Sequence, residues 1–214
     1  MNYKKLIVES GLRMLNSGYT VETWGNISYR DQETNLVYLT PSGMDYTTIN
    51  EDDVVVCDLE GNIVEGKRKP TIETGLHLAI YKARPEVNAV VHTHPIYSTV
   101  FSCCEEDIPL VIDEAAQTLG GTVKTAEYAL PGSPELAANC IVALGTESNA
   151  CLLKAHGAVC VGENMDAAFK VSKVLEVTAE IYQLIRSMGK TPYILSDENI
   201  SAMQYFVKNI YGQR

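Results

Sequence analysis

Val87-Asn88-Ala89-Val90-Val91-His92-Thr93-His94-Pro95 decides how the chain is read. An apolar run that ends in two histidines is expected to be a buried strand. The proline after it suits the first turn of a helix over 95–103. At positions i and i+2 of a strand, His92 and His94 share one face. They stand at the strand's carboxyl end, where sheet proteins commonly build sites. By itself an H-x-H pair is equally an ordinary pair of polar residues. A third histidine, His156, lies in Lys154-Ala155-His156-Gly157-Ala158, between Cys151-Leu152-Leu153 and Val159-Cys160-Val161, which read as a strand pair. The chain has four histidines, so all but one fall at the tips of apolar strands. Three neutral imidazoles with an open position are a catalytic zinc-type donor set. Manganese, iron and cobalt are compatible with the same donors.

Working outward, Thr71 is expected to cap a helix running to about Ala83, with Pro85 after it. Glu73 and the fourth histidine, His77, then share a helical face. Glu73 near the helix start is either a dipole-stabilising carboxylate or an acid/base beside a metal. His77 reads as a core histidine rather than a ligand. Residues 2–17 have helical apolar spacing, with Gly18 as a stop. Strands are expected over 25–30, 36–40 and 53–57, the last turning at Glu60-Gly61-Asn62 into Ile63-Val64. Further helices are expected over 134–144 and 165–187. Strands and helices mix without strict βαβ rhythm. The expected fold is therefore one layered α/β or α+β domain over residues 1–214, with a central, largely antiparallel sheet between helices.

Of the 214 residues, 46% are hydrophobic and 21% charged, and the net charge is −10. An acidic surface repels nucleic acid and anionic lipid, so neither is expected as a partner. An anionic substrate must then be drawn in by a local feature such as a metal or a helix N-terminus. None of the six cysteines forms a C-x-x-C pair, and most sit in apolar runs, which points to reduced thiols in the cytoplasm. The N-terminus lacks an apolar signal segment, and no stretch approaches the roughly 20 apolar residues of a membrane span.

Five segments together resemble the class II aldolase/adducin family: Gly25-Asn26-Ile27-Ser28, Thr40-Pro41-Ser42-Gly43, Lys69-Pro70-Thr71-Ile72-Glu73, His92-Thr93-His94 and Lys154-Ala155-His156-Gly157. The resemblance runs over nearly the whole chain and is nearest to the small aldolases that act on ketose 1-phosphates such as L-fuculose 1-phosphate. It implies an α/β sandwich of three layers and a four-fold homotetramer with active sites between subunits. It also implies a single divalent ion, zinc foremost, on His92, His94 and His156. Glu73 would occupy a metal position until substrate displaces it and would then act as acid/base. A phosphate cradle is implied at Thr23, Asn26, Ser42, Gly43 and Thr71. That cradle also makes sense residue by residue. Gly25 and Gly43 allow close backbone approach, and Asn26, Ser42 and Thr71 carry donors. The implied reaction is cleavage of a ketose 1-phosphate into dihydroxyacetone phosphate and an aldehyde through a metal-stabilised enediolate.

Two positions depart from the family's aldolases. Ile72 stands where they carry a second serine, and no tyrosine lies between Ile108-Pro109 and Gly120-Gly121. Asp113 and Glu114 occupy that interval and are candidate proton donors, a feature shared with the family's ribulose-phosphate 4-epimerases. Tyr128 and Tyr211 are alternative hydroxyls, and Tyr211 and Arg214 match tail positions that reach a neighbouring site in the aldolase. An epimerase, or a dehydratase or decarboxylase, is the alternative reading. A non-enzymatic adducin-like module would be marked by loss of the histidines, all of which are present.

Overall fold

The computed structural model describes residues 1–212. Arg214, a candidate tail residue, lies outside the described residues.

Eight strands form one sheet: β1 (Asn26–Arg30), β2 (Val37–Leu39), β3 (Val55–Cys57), β4 (Ile63–Glu65), β5 (Ala89–Thr93), β6 (Thr125–Ala126), β7 (Ala150–Leu153) and β8 (Gly157–Gly162). Their order is β4-β3-β2-β1-β5-β8-β7-β6. Every pairing is antiparallel except the short β6 against β7, so the sheet is mixed in sense but largely antiparallel, as expected. The helices are α1 (Tyr3–Asn16), α2 (Thr74–Ala83), α3 (Ile96–Cys104), α4 (Asp113–Thr118), α5 (Pro134–Leu144), α6 (Met165–Ser187) and α7 (Asp197–Asn209). Among the described residues, no helix is long and apolar enough to cross a membrane.

The central strands are apolar throughout because both of their faces are covered. Side-chain direction alternates along each strand. Val90, Val159, Val161, Cys151 and Leu153 therefore enter one cluster with α2 and α5. Their neighbours turn the other way. Ala89 and Val91 pack with α1 and the start of α6, and Ala150, Leu152, Ala158 and Cys160 pack with α3, α4 and α6. The result is helices, sheet, helices in three layers. His92 shares the parity of Val90, so its side chain belongs to the face that α2 covers.

Several expected boundaries move for identifiable reasons. Thr71 does not cap α2. The helix begins at Thr74 with Glu73 as the N-cap residue, and Thr71 Oγ1 instead accepts the Glu73 N–H at 3.3 Å. The strand expected from Asp53 begins at Val55. Asp53 closes a short 3-10 turn, where its carboxylate accepts the Asn50 N–H at 3.0 Å and pairs with Arg68 at 2.8 Å. Asp113 and Glu114 form the first turn of α4, where acidic side chains complement the helix dipole. Helix α7 lies beyond the helices that the sequence pattern predicts. It opens on a standard signal, the Ser196 side chain accepting the Asn199 N–H at 3.3 Å, but none of its residues is buried. Four thiols are buried, whereas Cys103 and Cys104 are exposed at the end of α3.

Gly157 opens β8 where that strand meets β5. A Cβ there would collide with the Thr93 carbonyl and come within 2.9 Å of the His94 ring. We expect Gly157→Ala to destabilise the protein by about 1–3 kcal/mol. A shift in the urea midpoint measures this, and an unchanged midpoint contradicts it.

Candidate metal centre

Three chain segments bring the histidines together. His92 is the penultimate residue of β5, His94 follows the strand with its N–H bonded to the Tyr19 carbonyl at 2.7 Å, and His156 sits in the β7–β8 hairpin. That hairpin turns through Ala155 in the left-handed region, φ 53°. Ring centroids of the three imidazoles lie 4.8 to 5.0 Å apart. One ligand atom from each falls within 4.8 Å of the others, a spacing that fits one divalent cation. His92 Nδ1 is 3.0 Å from the Ala158 carbonyl and donates to it. Its Nε2 is left as a bare lone pair aimed inward, the usual arrangement behind a ligating histidine.

Glu73 reaches over this group from the start of α2. Its Oε2 is 3.1 Å from His92 Nε2, and its Oε1 is 3.7 Å from His156 Nε2. Oε1 and His156 Nδ1 are buried polar atoms with no hydrogen-bond partner. A cation placed among the imidazoles would satisfy the carboxylate oxygen, so the donor set fits a metal on an observation independent of spacing. Burial pushes the Glu73 carboxyl up, while the facing His92 imidazole and the Asn26 amide pull it down, for a net lowering. Glu73 Oε2 accepts from Asn26 Nδ2 at 2.8 Å. His77 does not join the three-histidine cluster. It is fully buried behind Asn26, as a core histidine.

Burial also disfavours the charged forms of His94, His77 and His156. His94 and His77 are lowered to about 3 and His156 to about 4. Below its ordinary value of 6.5, each of these takes up a proton in the unfolded chain that the folded chain refuses. The metal-free protein should therefore lose stability as the pH falls from 6.5 towards 4, and these groups should add nothing to the pH dependence above 7. Urea midpoints at pH 7.5, 6 and 5 test this. A midpoint that does not fall between 7.5 and 5 speaks against it.

The cradle residues converge on the same place. A cleft of about 490 Å3 is lined by Thr23, Asn26, Ser42, Gly43 and Thr71 together with Glu73, His94 and His156. These residues are far apart in the chain, and backbone pairing assembles them. Asn26 pairs with His92 across β1 and β5, the Ser42 N–H bonds Lys69 O at 2.9 Å, and the Thr71 N–H bonds Thr40 O at 3.1 Å. Gly25 has φ 73°, and a Cβ there would stand 2.8 Å from the His92 carbonyl, so only glycine lets β1 approach this closely. The cleft also has an apolar lip that the motifs did not disclose. Trp24 stacks on His94 at 6.4 Å between ring centroids, and Ile72 faces it from the start of α2, both largely exposed.

The remaining candidates lie away from this cleft within the chain. Asp113 and Glu114 stand on α4, and Glu114 lines a separate groove with Lys173 and Val177 of α6. Tyr211 follows α7 with its ring 5.8 Å from Phe206 and is mostly exposed. Tyr128 is exposed in the loop before α5.

Residues 5–183 match the family model described as the class II aldolase and adducin N-terminal domain. Over 208 residues the chain is 35% identical to the 5-deoxy-D-ribulose 1-phosphate aldolase of Bacillus thuringiensis, covering 97% of this chain and 96% of that protein. It is 33% identical over 208 residues to the L-fuculose phosphate aldolase of Escherichia coli, covering 97% of this chain and 94% of that one. A solved structure of an L-fuculose 1-phosphate aldolase superposes with a TM-score of 0.93 at 36% identity, covering 96% of both chains.

Proposed function

The chain belongs to the class II aldolase and adducin family, and on that premise we propose that it is a metal-dependent aldolase. It cleaves a ketose 1-phosphate such as L-fuculose 1-phosphate into dihydroxyacetone phosphate and an aldehyde. The observation that carries this reading is a buried carboxylate, Glu73, held between three clustered imidazoles and a hydroxyl-rich cleft.

His92, His94 and His156 would hold the ion, zinc foremost by its preference for nitrogen donors in a four-coordinate site with one open position. When bound it supplies Lewis acidity for the negative charge that bond cleavage leaves beside the substrate carbonyl. The chain's own groups do the rest. Thr23, Ser42, Gly43 and Thr71 orient the phosphate with hydroxyls and backbone N–H groups. Asn26 adds the amide hydrogen that Glu73 does not use. The C4 hydroxyl gives up its proton, the C3–C4 electron pair stays with C3, and Glu73, after taking up a proton from solvent, delivers it to that carbon. Ile72 leaves the phosphate with one side-chain donor fewer than the family's aldolases offer.

Residues 1–214 act as one class II aldolase-like domain in a cytoplasmic homotetramer. Exposed apolar residues at the end of α7, among them Tyr205, Ile210 and Tyr211, support a packed tail of this kind. Asp113, Glu114 and Tyr211, remote from the cleft of their own chain, would serve a neighbouring subunit's site as candidates for the C4 hydroxyl proton. The test is incubation of metal-loaded protein with a panel of ketose 1- and 5-phosphates, with products followed by NMR. Dihydroxyacetone phosphate plus an aldehyde is the expected result. A pentulose epimer without cleavage products would replace the aldolase by a 4-epimerase.

A further inference from the structure

Behind Glu73 runs a file of buried polar side chains. Tyr81 OH lies 2.7 Å from Ser28 Oγ, and Ser28 Oγ lies 2.6 Å from His77 Nδ1. His77 Nε2 is 2.5 Å from Asn26 Oδ1, and Asn26 Nδ2 is 2.8 Å from Glu73 Oε2. All of these residues are buried.

The order of hydrogens along the file follows from its end. An ionised carboxylate only accepts, so Asn26 turns its NH2 towards Glu73 and its carbonyl towards His77. That carbonyl only accepts, so His77 Nε2 carries the hydrogen. Burial keeps the ring neutral, so Nδ1 is bare and takes the hydroxyl hydrogen of Ser28. Ser28 Oγ in turn accepts from Tyr81, whose alternative acceptor, the Asn88 carbonyl, is farther off at 3.4 Å. Every member thus donates towards Glu73, and a buried chain of one sense reinforces each of its bonds.

The two oxygens of Glu73 are consequently unlike. Oε2 is held by Asn26 and faces His92, whereas Oε1 is buried without a hydrogen-bond partner beside His156. We propose that His77 is a positioning residue for Glu73: by fixing the Asn26 amide it pins Oε2 and leaves Oε1 as the oxygen that carries the proton. This rests on the reading of Glu73 as the proton carrier of an aldolase. Without the His77 N–H, the Asn26 carbonyl loses its buried donor and the amide is free to turn over, which would set a carbonyl against a carboxylate.

Two measurements test it. Long-range 1H–15N spectra of the metal-loaded protein should show His77 as the Nε2–H tautomer from pH 5.5 to 8. An Nδ1–H tautomer would reverse the file and overturn the proposal. The second measurement is deuterium exchange into dihydroxyacetone phosphate in D2O, which needs the Glu73 proton transfer but no aldehyde. His77→Leu should slow exchange by about 10- to 100-fold at unchanged zinc content, with KM within roughly threefold. His77→Gln can accept from Ser28 and donate to Asn26, and it should recover most of the rate. Wild-type exchange by His77→Leu, or His77→Gln no faster than His77→Leu, overturns the proposal. If His77→Leu fails to fold, Ser28→Ala, which strips Nδ1 of its donor, should slow exchange in the same way, and an unchanged rate overturns it. A wild-type protein that exchanges no deuterium would sink the aldolase reading instead, and the tautomer still decides the order of the file.

Discussion

Replacing His92 with alanine should remove both the bound ion and the reaction. Its ring is fully enclosed, its Nδ1–H is committed to the Ala158 carbonyl, and its Nε2 lies 3.0 Å from His94 Nε2 and 3.1 Å from Glu73 Oε2. No other side chain in the cluster can move in to replace it, because His94 and His156 are fixed by a strand end and a hairpin. Two imidazoles grip a divalent ion far more weakly than three, and the loss of Lewis acidity removes several kcal/mol of charge stabilisation. At about 1.4 kcal/mol per factor of ten, kcat/KM should fall at least about 1,000-fold. Metal analysis of the purified variant should find the site largely empty at metal concentrations that fill the parent. Full metal content with full activity would show that the histidines do something else.

Glu73→Gln separates holding the metal from moving the proton. Glutamine is nearly isosteric, and its carbonyl can still accept from Asn26 Nδ2, so the pocket should keep its shape. The three imidazoles remain, so the ion should stay bound. What disappears is a carboxylate able to give and take a proton at Oε1. General acid–base groups contribute about 100- to 10,000-fold, and the fall should appear in kcat with KM changed by no more than roughly threefold. A variant that kept kcat within a factor of about ten would remove Glu73 from the chemistry and leave it as the N-cap residue of α2.

The legibility of the molecule in its sequence follows its burial. β5 and the β7–β8 pair were readable because strands covered on both faces must be apolar throughout. The parity that sends Val90 into the α2 face sends His92 there too. The cradle was different. Thr23, Asn26, Ser42, Gly43 and Thr71 come together through backbone pairs such as Ser42 with Lys69, which carry no side-chain signature, so only a family resemblance could group them. Helix α4 is six residues long, too short for a periodic pattern. Helix α7 has a capping serine and acidic residues in its first turn, yet none of its residues is fully buried, and only a short apolar stripe with Ile200 and Met203 packs part-buried on the core. The file behind Glu73 did leave a trace. Glu73 at the N-cap of α2 and His77 and Tyr81 within it recur every four residues, and Asn26 and Ser28 sit two apart on β1. A polar row at helical spacing facing a polar pair at strand spacing is the pattern by which it could have been found.

Metal-dependent aldol cleavage is tested most directly by comparing the action on L-fuculose 1-phosphate of protein stripped of metal and of the same protein reloaded with zinc, with products read by NMR. Dihydroxyacetone phosphate and an aldehyde are expected from the reloaded sample and neither from the stripped one. Equal cleavage by the stripped protein would contradict metal dependence.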